Sequence, residues 1–244
     1  MTETRITLEL SNRVASIAIN RPDKRNALDE AMFGALANAL RRAQDDPYVH
    51  CVLVHGIGPH FSAGHDIVAF GTLWPQAEDG AVRRCIVAFA EQPKPLVAAV
   101  TGAAVGFGAT MLLHADWVVA GESTIFKFPF ADLGIVPEAG ATALLARRVG
   151  DLAARDWLMS GRPIPAAEAL RHGFVSCVLP DAEVLAAAND YAARLAAKPP
   201  EALHATRHLL QEASTLPGRE AIEREVAQLN IFIPAAAKAS KTHG

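Results

Sequence analysis

Four stretches of this 244-residue chain hold residues whose type and spacing suit chemistry. The first is Thr101-Gly102-Ala-Ala-Val-Gly106-Phe107-Gly108, set between the apolar runs Leu96 to Val100 and Ala109 to Ala115. Glycine at 102, 106 and 108 removes side chains where the chain bends, so a ligand can approach the backbone. The first N–H groups of a helix that follows have no partner inside it, and such a turn can hold negative charge. A dinucleotide fingerprint does not fit, because its third glycine position is Met111 and the nearest later acid is Glu122; a Gly-Lys-Ser/Thr phosphate loop is absent as well. Two readings remain: an anion that arises during a reaction, such as an enolate oxygen, or a purely structural tight turn.

The second stretch is Phe61-Ser62-Ala63-Gly64-His65-Asp66, whose small residues again permit close approach. Ser62, His65 and Asp66 are nearly consecutive and cannot converge as a nucleophile triad. A loop histidine is ordinarily structural, so the N–H of His65 is the more useful group. The third stretch, Pro129 to Gly140, is an irregular apolar loop with two acids, Asp132 and Glu138. The fourth, Asn20 to Asn26, is a basic loop carrying Arg21, Lys24 and Arg25, suited to a phosphate or simply to solvent.

The elements that must position these residues are legible from periodicity. Ile6–Leu10 and Val14–Ile19 read as a hairpin around Ser11-Asn12, and Leu28 to Ala43 as a helix with Asp29 as N-cap. Cys51–His55, Leu96–Val100, Trp117–Ala120 and Thr124–Phe128 read as strands, and Ala81–Glu91 as a short helix. The apolar run after Gly108 reads as a helix buried on every side, with His114 as a satisfied core histidine. Residues 71–80 read as a mobile polar segment. From Thr142 onward the pattern is helix after helix, at 141–148, 151–159, 165–171, 181–197, 199–213 and 218–232, with one strand at Val175–Val178. The expected class is α/β, a sheet-bearing part followed by a helical part.

Composition sets the outer bounds. With 51% hydrophobic residues and a net charge of −3, the chain can bury a sizeable core and gives no reason to expect nucleic acid or an anionic membrane. Cys51, Cys85 and Cys177 are odd in number and lie in apolar runs, as reduced core residues do. The N-terminus lacks a signal pattern and no apolar run approaches a membrane span, so a cytoplasmic location is expected. No metal site is expected.

Taken together, Asn20-Arg21-Pro22 with Asn26-Ala27-Leu28, Phe61-Ser-Ala-Gly-His-Asp66, Gly102-x-x-x-Gly106-x-Gly108 with Asp116, and Leu133-Gly134-x-x-Pro137 resemble the crotonase, or enoyl-CoA hydratase/isomerase, superfamily. The resemblance covers roughly residues 5 to 215, in the family's order and spacing. It implies a crotonase-type ββα spiral core over residues 1–195, a C-terminal helical trimerisation region over 196–244, and a homotrimer or dimer of trimers. It implies a coenzyme A thioester as substrate, with no separate cofactor.

The resemblance also assigns roles. The thioester oxygen would be gripped by the backbone N–H groups of His65 and Phe107. The phosphates would meet Lys24 and Arg25, and the adenine the backbone of Ala63 and Asp66. The two glutamates with which family hydratases activate water match Thr110 and Phe130 here, and neither of those is a base at neutral pH. Glu138 matches the single glutamate of the Δ3,Δ2-enoyl-CoA isomerase branch. Among Phe126, Phe128, Phe130, Leu133 and Val136 its carboxyl would be desolvated and its pKa raised. The competing reading makes Glu138 a first-turn acid of the helix near Ala141, with Asp132 as fallback base. One departure stands out: the family's C-terminal helix supplies a Phe and a Lys to a neighbouring nucleotide pocket, and Ile231-Phe232-Ile-Pro234 with the ten residues after it do not match.

Overall fold

Strands that are apolar at every position need cover on both faces. The computed structural model of the chain, which describes residues 5–68, 76–213, 220, 222–224, 226–229 and 231, shows how that cover is arranged. The hairpin is β1 (Ile6–Ser11) and β2 (Val14–Ile19). Its turn is Asn12-Arg13, one residue later than the sequence predicts, with both residues at positive φ, which suits the twist of paired strands. Then come α1 (Glu30–Asp45), β3 (Cys51–Gly56), α2 (Ala81–Ala90) and β4 (Leu96–Val100). Asp29 caps α1, its side chain accepting from the Met32 N–H at 3.0 Å.

The next elements are β5 (Ala103–Val105), α3 (Phe107–Thr110), a 3₁₀ turn (Met111–His114), β6 (Trp117–Gly121) and β7 (Ile125–Lys127). They are followed by α4 (Ala141–Val149), α5 (Asp151–Ser160), β8 (Ile164–Pro165), α6 (Ala166–Arg171), β9 (Cys177–Leu179), α7 (Val184–Ala196) and α8 (Pro200–Ala213).

Six strands form one sheet in the order β1-β2-β3-β4-β6-β9, parallel beyond the hairpin. Val52, Val54, Ala98 and Val100 share a core with α1 and α2. The intervening Cys51, Leu53, Val97 and Ala99 point the other way, onto Val184, Ala188, Ala192 and Ala196 of α7. Strand alternation and a four-residue helical stripe thus bury both faces.

Three expectations need correction. The glycine turn contains a strand, β5, which joins β7 and β8 in a second sheet of three strands. The region after Thr142 holds a strand that was not predicted, β8, whereas the strand expected at Val175–Val178 is present as β9, starting two residues later and completing the large sheet. The buried helix after Gly108 is broken into α3 and the 3₁₀ turn. The chain must reach β6 within a few residues, and the Arg148 side chain meets the carbonyls this leaves behind, donating to Leu112, Leu113 and Ala115 at 2.7–3.1 Å.

α8 is tied to the core by buried Arg207, which donates to Asp116 at 2.7 Å and to the carbonyls of Gln92 and His114. Among the described residues no helix is long and apolar enough to cross a membrane. Within the predicted helix over 218–232, the described residues 220, 222–224, 226–229 and 231 are helical; the rest of it, the C-terminus beyond Ile231 and residues 71–75 of the polar segment lie outside the described residues.

Candidate functional site

The loop 61–66 is stitched to the glycine turn on one edge and to the basic loop on the other. Phe61 N–H donates to Thr101, Ser62 N–H to Ala103, and Val105 N–H back to Ser62, all at 2.9–3.0 Å. Opposite, Ala63 N–H donates to the Arg25 carbonyl, Leu28 N–H to Gly64 and Asp66 N–H to Leu28, at 2.7–2.9 Å. The Ser62 hydroxyl bridges the two edges, donating to the Asn26 carbonyl at 2.8 Å and accepting from Gly64 N–H at 3.1 Å. Asn26 itself is fully buried. Its amide donates to the carbonyls of Ile57 and His60, and its oxygen accepts from Arg21 N–H.

The closest approach is at Gly64, where φ is +79°. A Cβ there would fall on the Val105 carbonyl oxygen and 3.0 Å from the Phe107 nitrogen, so only glycine fits. His65 follows Gly64 directly, so the chain at 64–65 passes close to the Phe107 nitrogen. Phe107 is the first residue of α3, with a positive-φ glycine, Gly106, before it, so its N–H has no acceptor within the helix. With α3 only four residues long, its N-terminus offers individual N–H groups and not a long helix dipole. The His65 ring packs 4.6 Å from Phe33 and edge-on to Phe107, and burial lowers its pKa to about 4, so it is neutral.

Glu138 meets Thr110 at the end of α3, and two of the apolar residues expected to enclose it are not buried. Phe126 and Phe128 stack with Phe174 and Trp157, while Leu133 and Val136 are exposed. The Thr110 hydroxyl donates to Oε1, and the pKa of Cys85 on α2 is raised first by its burial and then by the Glu138 charge. Oε2 is buried and has no hydrogen-bond partner among the described residues. Burial pushes the Glu138 pKa up to about 7, against the Thr110 bond, which favours the charged form. The helix-cap reading does not describe this side chain: Gly140 is the N-cap of α4, and only the backbone carbonyl of Glu138 meets the helix, accepting from Ala141.

The other named residues fall at the rim or in the frame. Lys24 and Arg25 are exposed beside the loop 61–66, and Arg25 has φ of +51°. The N–H groups of Ala63 and Asp66 are both spent on the fold, which leaves their carbonyls for any ligand. The Asp66 side chain pairs with Arg21 at 2.8 Å, which holds its pKa below the usual carboxylate range. Asp132 is exposed and paired with Lys127 at 3.1 Å. Thr110 and Phe130 are buried. His114 bonds the Ala139 carbonyl at 3.0 Å. Sequence reasoning named Asn26 without a role and missed Arg148 and Arg207 altogether; an asparagine next to a turn was a signal for the first, and isolated arginines gave none for the others. A groove lined by Gln92, His204, Leu209 and Glu212 contains none of the site residues.

The chain as a whole has known relatives. The family model described as enoyl-CoA hydratase/isomerase matches residues 9–241. The chain belongs to the enoyl-CoA hydratase/isomerase family. It is 38% identical over 222 residues to the "Probable enoyl-CoA hydratase EchA14" of Mycobacterium tuberculosis, covering 90% of this chain and 86% of that one. It is 30% identical over 229 residues to the 1,2-epoxyphenylacetyl-CoA isomerase of Escherichia coli, covering 88% and 86%. A solved enoyl-CoA hydratase/isomerase from Pseudoalteromonas atlantica superposes with a TM-score of 0.82 at 34% identity, covering 95% of this chain and 91% of that one. The protein is thus an enzyme of this family with the crotonase fold, and its relatives include both hydratases and isomerases.

Proposed function

We propose that this enzyme moves the double bond of a 3-enoyl-CoA to the 2-position. The thioester oxygen sits between the N–H groups of His65 and Phe107, and the Glu138 carboxylate removes a proton from C2. The oxygen becomes negative in the dienolate, and each backbone donor aimed at it is worth ~3 kcal/mol in that state. Protonated Glu138 then returns the proton to C4. A shuttle must both take and give a proton, which suits a carboxyl whose pKa is about 7. Lys24 and Arg25 are placed to meet phosphates, and the carbonyls of Ala63 and Asp66 to accept from an adenine amino group.

One observation carries the reading: Glu138 is a buried carboxyl held to the end of α3 by Thr110, on the short helix that Phe107 begins, whereas Thr110 and Phe130 occupy the positions at which the resemblance puts the two hydratase acids. The hydratase reading has the names of several relatives behind it and would need Glu138 to activate water unaided. Purified protein fed 3-enoyl-CoA and 2-enoyl-CoA separately tests this. Isomerisation without 3-hydroxyacyl-CoA supports the proposal; hydration of 2-enoyl-CoA without isomerisation overturns it, as does thioester binding without turnover.

A further inference from the structure

Thr110 and His114 stand one helical turn apart, on the segment that begins with Phe107. Both side chains reach the Glu138 loop. The Thr110 hydroxyl donates to Glu138 Oε1, and the His114 Nε2 lies 3.0 Å from the carbonyl oxygen of Ala139, the next residue along. A carbonyl only accepts, so Nε2 carries the hydrogen. Ala139 has a φ of +53°, a conformation that costs an L-residue energy unless its surroundings hold it. The segment that presents one oxyanion donor therefore also grips the base at two points.

We propose that Thr110 and His114 are positioning residues for Glu138, fixing Oε1 and the following backbone so that Oε2 alone faces the reacting carbons. The inference rests on the isomerase reading of the site. A carboxylate free to rotate would offer either oxygen at varying distance from C2 and C4. One pinned at Oε1 presents Oε2 in a single place, and losing the donor also removes a bond that favours the charged form. Among the described residues, the titratable groups at the Glu138 loop from the packed elements are the Cys85 thiol, which feels the Glu138 charge and which burial keeps protonated, and His114 at the Ala139 carbonyl, which burial keeps neutral with a pKa of about 4. Neither ionises near pH 7, so a changed titration there reports on Glu138 itself.

The test uses the full-length protein as T110V, T110S, H114Q and H114L, with E138Q as control. The Glu138 titration is read by carbon NMR of glutamate-labelled protein, in which E138Q identifies the resonance. T110V is expected to titrate about one pH unit higher than wild type and to shift the acid limb of kcat/KM for 3-enoyl-CoA equally, a tenfold loss below the limb. T110S should restore both. H114L should lower kcat at least tenfold with KM unchanged, and H114Q, which keeps an N–H donor, should recover part of it. An unchanged titration and pH profile in T110V, or equal kcat in H114Q and H114L, overturns the inference. Retention of isomerisation by E138Q would instead overturn the functional reading, while the NMR titration of T110V would still report whether Thr110 grips the carboxyl.

Discussion

Replacing Glu138 by glutamine separates what the carboxyl does for catalysis from what it costs the fold. Glutamine has nearly the same shape and still accepts from Thr110 through its oxygen, so packing is conserved. The Glu138 pKa rises from its ordinary 4.5 to about 7 on folding because the carboxyl is buried. Between those values the folded protein binds more protons than the unfolded chain. Stability linked to this group is therefore fully present below pH 4.5 and is lost as pH rises through about 7. The shift corresponds to about 3 kcal/mol at most once the carboxyl is ionised on both sides. E138Q cannot ionise, so it escapes that loss. Any fixed penalty from burying an amide applies equally at every pH and cancels in the comparison. Urea unfolding followed by circular dichroism at pH 5 and pH 8.5 should show E138Q gaining stability relative to wild type by up to about 3 kcal/mol at the higher pH. Isomerisation should meanwhile fall by about 10²–10⁴-fold, the usual worth of a positioned acid–base group. If the stability difference between mutant and wild type is the same at both pH values, Glu138 is not desolvated and the argument for a raised pKa fails.

Three further variants probe the frame around it. G64A must place a Cβ on the Val105 carbonyl at a φ of +79°, so turnover should collapse and stability should drop by at least about 2 kcal/mol in urea unfolding; a wild-type urea midpoint would contradict the close approach. H65A keeps the backbone donor but loses the ring packed on Phe33 and Phe107, so thermal unfolding should show a loss of about 2–3 kcal/mol while the kcat pH profile keeps its shape; a displaced profile would mean that the imidazole takes part in proton transfer. R207A takes the donor from two carbonyls and removes the partner of Asp116, which is exposed and keeps the Leu96 N–H, so it should cost about 1–3 kcal/mol in urea unfolding and expose α8 to limited proteolysis; unchanged proteolysis would show that α8 is held by other contacts.

Much of this molecule was legible before any coordinates. The hairpin, α1 with its Asp29 cap, and the apolar strands β3, β4 and β6 follow from alternation, helical spacing and capping chemistry, which act over a few residues. The glycine turn was legible as a place of close backbone approach, and the atoms that approach are now identified: Gly64 lies against Val105 and Phe107. β5 and β8 were not legible, because three- and two-residue strands carry too little pattern and exist only through pairing with β7.

The sequence by itself determined the family, the order of elements and the residue types available at the site, because each is encoded in local pattern or in motif spacing. Tertiary structure alone decided what surrounds Glu138. Phe126 and Phe128, near it in sequence, pack with Phe174 and Trp157, and Thr110, 28 positions earlier, donates to the carboxyl. The same holds for Arg207 and Asp116, which meet across 91 positions. A pKa depends on the atoms within a few ångströms, and which atoms those are is fixed by how the sheet and helices pack.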